Sequence, residues 1–355
     1  MPLNYINKIK VKSFSVKVFT AVAFTLINFS CNTIKNNFMI NKYDWYASES
    51  ATRAYPMEIM RGYYVLGNNE SMGIGMSGVL EGSDGWGNIG TMASSCNKST
   101  ELPEQLHITW FSYTEKKFFS GVADLPIDKM NQIFSEKFIS PITDKEAAFD
   151  YLVLGIIPNG KVVVWANGGR VSKEICLLSF KEDKTVKWVE FMSNPDYQME
   201  QYANELLDEL LLEKDSINLK KNGVDTLLYV EKYRQHFLWS TKIVGSIKPL
   251  NSMYYYYNGE SEFNFNNSEE EVNRPVPKNI GIDWKDTKGE KFSSDILFDE
   301  GEVFSAFDSL SGEHKSGKIQ MQFEISDYTQ DIEIILRNDT YLYTFKKCII
   351  DVYGK

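Results

Sequence analysis

The residue with the clearest chemistry is Cys31. It follows Ser30 at the end of an apolar stretch, 18–29, which is preceded by Lys8, Lys10, Lys12 and Lys17 with no acidic residue between them. A basic start, a short apolar core and a small residue before a junction make a secretory signal. The core is shorter than the ~20 residues of a spanning helix. A thiol placed directly after the small residue suits lipoprotein processing, in which diacylglycerol is attached to the sulfur and the signal is cut in front of it. Asn28 stands where a lipobox has leucine. A doubly acylated cysteine gives stable anchoring where one chain would be marginal. No acidic cluster follows Cys31, so the expectation is a lipid-anchored (palmitate-bearing) envelope protein facing the periplasm.

Other candidates for chemistry are weaker. Gly73-Ile-Gly75-Met-Ser-Gly78 has the form G-x-G-x-x-G, but dinucleotide binding needs a strand before it and a helix N-terminus after it, and more glycines and strand-like residues follow. Ser77 lacks the second glycine of a nucleophile elbow, because Val79 occupies that place. His107, His236 and His314 have no metal-ligand spacing. Asp283 and Asp286 flank Trp284, and Asp299, Glu300 and Glu302 form an acidic turn; acid–base catalysis requires a cleft and a shifted pKa, and the expectation for both sets is a solvated face. No catalytic residue, metal ligand or cofactor site is assigned. Two features are candidate partner contacts. Trp86 sits between glycines in a flexible loop, and Tyr254, Tyr255, Tyr256 and Tyr257 form an unbroken run. Large aromatics serve as binding anchors, and equally as core residues; both alternatives stand at this level.

The charge limits the partners. The chain carries a formal charge of −10; loss of residues 1–30 takes Lys+Arg from 38 to 34 against 48 acidic residues, giving −14. Such a surface repels nucleic acid and suits a basic protein. Beyond Cys31, three cysteines remain, Cys96, Cys176 and Cys348. That odd number allows one disulfide and a free thiol, with Cys176 and Cys348 expected as small buried hydrophobes.

Residues 32–42 form a polar tether. The alternation Leu106, Ile108, Trp110 and the return at 118–125 predict a hairpin. Pro126, Ile127, Met130, Phe134 and Phe138 predict a helix over 126–138. Segments 151–157 and 161–166, about Pro158-Asn159-Gly160, predict a second hairpin, and 174–180 a buried strand. Asn194-Pro195 starts a predicted helix over 196–214, and 234–247 reads as the strand that follows it.

An internal repeat organises the rest. Pro277, Ile282, Trp284, Lys291 and Phe292 match Pro103, Ile108, Trp110, Lys117 and Phe118 at a constant offset of 174. A helix-like segment and three strand-like segments follow in both places. Repetition of this kind predicts similar modules packed side by side. The expected fold is α+β: two tandem related modules, each an antiparallel sheet with a packed helix. The first covers 43–248, 249–276 is a linker with a leading strand, and 277–355 is a shortened second copy.

Leu102-Pro103, Trp110-x-Ser112-x-x-Glu115-x-Lys117-Phe118-Phe119, Leu125-Pro126, Gly155-x-x-Pro158-x-Gly160-x-Val162-x-Val164-Trp165 and Tyr233-Arg234-x-x-Phe237-x-Trp239 together resemble the domain-of-unknown-function family 2931 of bacterial lipoproteins, over about 43–245. The tail beyond 250 departs from the usual single-domain length. The resemblance transfers no activity and no catalytic residue. It implies a periplasmic lipoprotein, and some members resemble immunity lipoproteins that neutralise toxic effectors. The expected function is therefore a non-enzymatic, lipid-anchored binding protein with a protein partner, a basic effector being the candidate. The alternatives are a structural or assembly lipoprotein that binds glycan or another envelope protein, and a hydrolase with an unrecognised site.

Overall fold

A computed structural model describes residues 41–354 apart from 76–77, 84, 91–96, 193, 195, 266 and 327–330. The signal, Cys31, Cys96, Ser77 and Pro195 lie outside the described residues. In chain order the first half contains β1 (Tyr43–Ala51), β2 (Met57–Leu66), β3 (Ser71–Gly73), β4 (Asn97–Thr100), β5 (Pro103–Ser112), β6 (Lys117–Asp124), α1 (Ile127–Phe134), β7 (Tyr151–Ile157), β8 (Lys161–Gly168), β9 (Val171–Ser179) and β10 (Lys181–Glu182). One sheet runs β4-β1-β7-β8-β9, with β1 parallel to β7 and the other pairs antiparallel. The other runs β10-β6-β5-β2-β3, antiparallel throughout. The β7–β8 turn uses Asn159 and Gly160, both at positive φ, as a tight hairpin requires.

The two sheets pack through the apolar side chains that alternation sets on their facing sides; β7 and β8 bury Val153, Val163 and Trp165 on the opposite side as well. Trp45, Leu152, Leu154 and Ile156 meet Ile59, Leu106, Ile108 and Trp110 in one buried cluster, to which α1 adds Met130, Ile133 and Phe134. Each such side chain contributes roughly 1.5–3 kcal/mol by leaving water. The helix predicted to reach 138 ends at Phe134, and Pro126 is its N-cap rather than its first residue. Phe138 instead lies in a two-residue strand and packs on Phe149, with centroids 5.1 Å apart.

An arm of short helices follows: α2 (Trp188–Phe191), α3 (Met199–Leu210), α4 (Glu213–Asn222) and α5 (Leu227–Val230). The single long helix expected over 196–214 is broken, since Leu211 and Leu212 adopt extended backbone with ψ of 133° and 149°. Trp188, Phe191, Met199, Tyr202, Leu206 and Leu207 close over Phe111, Tyr113 and Phe118, on the outer face of the β5–β6 hairpin.

The second half contains β11 (His236–Val244), β12 (Lys248–Tyr256), β13 (Ser261–Phe265), β14 (Val272–Pro275), β15 (Pro277–Lys285), β16 (Lys291–Leu297), α6 (Glu300–Ser311), β17 (Ile319–Ile325), β18 (Ile332–Arg337), β19 (Leu342–Thr344) and β20 (Ile349–Gly354). One sheet runs β14-β11-β17-β18-β19, with β11 parallel to β17. The other runs β20-β16-β15-β12-β13, all antiparallel. They enclose a second core of Trp239, Met321, Phe323, Ile280, Ile282 and Trp284, with Phe304, Phe307 and Leu310 from α6. A single bridge, Ser172 to Ser261, joins β9 to β13.

The protein is thus α+β, but its sheets differ from the expected single antiparallel sheet per module. The halves share one ten-stranded sheet, joined at that Ser172–Ser261 bridge; each adds a further large sheet, and each holds one parallel pair. β11, expected to close the first module, pairs instead with β14 and β17, and 249–276, expected to hold a linker with a leading strand, carries three strands. Periodicity reveals a strand and its buried face, not its long-range partner. The tryptophans compare closely. Trp110 pairs across the sheet with Phe119 and stacks on it at 5.4 Å and 23°; Trp284 pairs with Phe292 and stacks at 5.9 Å and 23°. Phe292 therefore stands where Phe119 does, one residue away from the match given by a constant offset. A residue must share the tryptophan's face to stack on it, and the chain between the two rings is one residue shorter in the second half.

Candidate functional site

The run Tyr254–Tyr257 divides by strand alternation. Tyr254, Tyr256 and Tyr257 are core side chains, exposed by 1 %, 4 % and 9 %. The Tyr254 hydroxyl shares hydrogen bonds with Thr241 (2.8 Å) and Ser252 (2.9 Å), and the Arg274 guanidinium covers its ring at 4.8 Å. Tyr257 donates to the Phe298 carbonyl at 3.1 Å. These three give no contact patch: the strand turns Tyr254 and Tyr256 into the second core, and Tyr257, in the turn just after the strand, folds into it too. Tyr255 points the other way and is half-buried.

That other face is the floor of a groove of about 650 Å³. Cross-strand register lays its residues out in rungs: Asn251–Asp283–Ser293–Tyr353, then Met253–Gly281–Asp295, then Tyr255–Asn279–Leu297. Ser293 Oγ donates to Asp283 Oδ1 at 2.5 Å, and Asn279 Nδ2 to Asp295 Oδ1 at 2.6 Å. Asp283, expected on a solvated face, belongs to this floor. The wall comes from the first half: Trp86, Asn88, Pro141 and Arg170. Trp86 and Tyr255, singled out separately from the sequence, line the same groove.

Trp86 sits on a pinned loop, not a free one. Its ring meets Trp165 edge-on at 4.7 Å and Tyr229 at 5.4 Å. Gly87 donates its N–H to Ser50 Oγ (3.1 Å) and accepts from Asn167 Nδ2 (2.9 Å). At φ +79°, a Cβ on Gly87 would lie 2.6 Å from the backbone of Gly259 in the β12–β13 turn, so only glycine allows this approach. Burial raises the Tyr255 hydroxyl pKa, and Arg170, within hydrogen-bonding reach, pulls it back.

Beside the seam, Glu174 pairs with Arg234, and its backbone N–H donates to Glu260 Oε1 at 2.8 Å. Burial pushes the Glu174 carboxyl up to about 7, against the lowering effect of Arg234 and with help from Glu260. The acidic turn at 299–302 is structural rather than solvated. Asp299 caps α6 by accepting from the Glu302 N–H at 2.9 Å, and buried Glu302 accepts from Lys346 N (2.9 Å), Lys347 N (2.9 Å) and Tyr343 Oη (3.1 Å). His107 stacks on Tyr63 at 4.7 Å. Cys176 and Cys348 are free, half-buried thiols, each pushed up to about 12 by burial. Among the described residues no group of three His, Cys, Asp or Glu side chains could hold a metal ion, and no helix is long and apolar enough to cross a membrane.

The arm also carries exposed apolar side chains that the sequence reading missed. Val189, Tyr197, Leu212, Ile217 and Leu227 are exposed by 65, 46, 38, 58 and 61 %. Around them, from Lys187 to Leu227, stand nine carboxylates and four lysines. The signal was present as apolar positions that fall off the buried stripe, but a helix unbroken to 214 would have placed them differently.

Two sheet-on-sheet cores with an acidic helical arm define an α+β protein. The chain belongs to the family described as Protein of unknown function (DUF2931), which matches residues 30–219. The match takes in the first half and most of the arm; β11 to β20 lie beyond it, including Phe237 and Trp239 of the sequence motif. No curated protein and no solved structure matches the chain.

Proposed function

We propose that this protein is an exported, lipid-anchored binding protein of the periplasm, without catalytic activity, that captures a basic protein through its helical arm. An immunity-type role, neutralising a toxic effector, is the form of this function that the acidic mature chain favours. The observation that carries it is the arm itself: five exposed apolar side chains within a field of carboxylates. Exposed apolar groups rimmed by charge are typical of protein contacts, and the field steers a cationic partner. Cys31 supplies the anchor, and 32–42 the tether.

The two halves are, on this proposal, tandem related modules. Support comes from the matching strand orders, one parallel pair in each half, and the paired Trp–Phe stacks. The second module then begins near His236 rather than at Pro277.

Crosslinking of tagged protein in intact envelopes, followed by mass spectrometry, tests the function. A basic secreted protein captured by the native chain and lost with Glu205→Lys/Asp208→Lys/Glu209→Lys is the expected result. Capture that is unchanged in this variant removes the arm from the mechanism. Mass measurement of the mature N-terminal peptide reports the lipid; an unmodified cysteine there overturns the anchor.

A further inference from the structure

The groove floor lies in the second half, beyond the family match, and its chemistry differs from that of the arm. We propose that it is a binding site for a neutral oligosaccharide, independent of the protein contact assigned to the arm.

The floor is a flat polar sheet face. Two preformed couples lie on it, Ser293–Asp283 directly across the strands and Asn279–Asp295 on the diagonal; Ser293 and Asp295 are two residues apart on one strand, roughly 7 Å. Ser293 has given its one hydroxyl proton to Asp283, so that couple offers acceptors only, whereas the Asn279–Asp295 couple offers a donor and acceptors side by side. Once Asn279 has given one amide proton to Asp295, it retains a second N–H and its carbonyl oxygen, and each carboxylate has further lone pairs. Vicinal sugar hydroxyls, each able to donate and accept, match such a pattern. Gly281 lies between the couples, and a Cβ there would find nothing closer than 3.5 Å. Glycine at this position is therefore not required by packing; it leaves the centre of the floor open.

Aromatic rings border the polar strip. Tyr255 and Trp86 stand toward one end, and Tyr353, exposed by 54 %, at the other. Amphipathic rings of this kind offer an apolar face and a polar tip, suited to the C–H face and the hydroxyl edge of a pyranose. The charges nearly balance, with Asp283, Asp295 and Glu260 against Arg170 and Lys278, which disfavours a polyanion. The volume of about 650 Å³ lies within the roughly 300–1,000 Å³ of small-ligand sites. A face serving only for solubility would have no need of exposed Tyr353 and Leu297, or of a wall brought from the other half.

The test is titration of the mature protein with cellotetraose, maltotetraose and chitotetraose, by calorimetry and ligand-observed NMR. Saturable binding of at least one is expected. Gly281→Phe, which fills the floor, and Asp295→Ala should each weaken it at least about tenfold while leaving the melting temperature near native. The arm variant Glu205→Lys/Asp208→Lys/Glu209→Lys should bind sugar as the native chain does, which separates failure here from failure of the arm proposal. No binding of any probe at about 10 mM, above the roughly 1 mM of a weak specific site, overturns the proposal. Equal affinity in both groove variants does the same.

Discussion

Replacing Gly87 by alanine tests whether the Trp86 loop is locked to the second half. At φ +79° the added Cβ costs about 1–2 kcal/mol for the left-handed backbone alone. It would also meet Gly259 Cα and O at 2.6 Å and its carbonyl carbon at 3.0 Å. These are backbone atoms, so no rotamer change relieves the clash, and the two turns must separate by several tenths of an ångström. Overpacking of this kind costs about 1–3 kcal/mol. The expected loss is therefore about 2–5 kcal/mol in denaturant unfolding, accompanied by faster hydrogen exchange at Gly87, whose N–H is bonded to Ser50. Gly281→Ala is the matched control, since its Cβ meets ordinary van der Waals distances, and it should change stability by under about 0.5 kcal/mol. Equal effects of the two substitutions would refute the contact between loop and turn.

Trp110→Ala and Trp284→Ala should each cost about 3–5 kcal/mol in denaturant unfolding, because each removes a fully buried indole and its stacked partner's support. Glu302→Ala should cost about 1–3 kcal/mol and shift the amide resonances of Lys346 and Lys347, whose N–H groups it accepts. Glu174 has a folded pKa raised from 4.5 to about 7, so the folded chain holds a proton that the unfolded chain releases, and native stability falls as pH rises through that window. Relative to native, Glu174→Gln should gain on the order of 2 kcal/mol between pH 5 and pH 8; a pH-independent difference would show that the carboxyl is not perturbed.

Much of the fold was legible where one face is buried and the spacing is strict. Leu106, Ile108 and Trp110 declared β5 and its inward face, and Pro158-Asn159-Gly160 declared the β7–β8 turn. What failed was partnership. Nothing local to His236–Val244 says that it lies parallel to Ile319–Ile325 and not beside the first module's strands. The tyrosine run was ambiguous for a related reason: alternation separates Tyr255 from Tyr254 and Tyr256, but only the second core decides which set faces inward. Glu302 misled because its partners are backbone N–H groups more than forty residues away.

One rung shows part of why the two halves present different outer surfaces. Next to the Trp110–Phe119 pair, β5 and β6 place Phe111 opposite Phe118; next to Trp284–Phe292, β15 and β16 place Lys285 opposite Lys291. An apolar pair on an outer face leaves the sheet unfinished until something covers it, and in the first half the arm does so through Trp188 and Phe191, 5.1 and 5.5 Å from Phe111. A lysine pair is content in water, so this end of the second face needs no helical cover, and the groove opens beside it, walled by Trp86, Asn88, Pro141 and Arg170. Covering one face also creates the arm's own outer surface, with its carboxylates and exposed Ile217 and Val189. The arm also packs on Met60, Val79 and Tyr113, so the rung is one part of an outer face built to be covered, and on the proposals above each half is left with a different kind of partner.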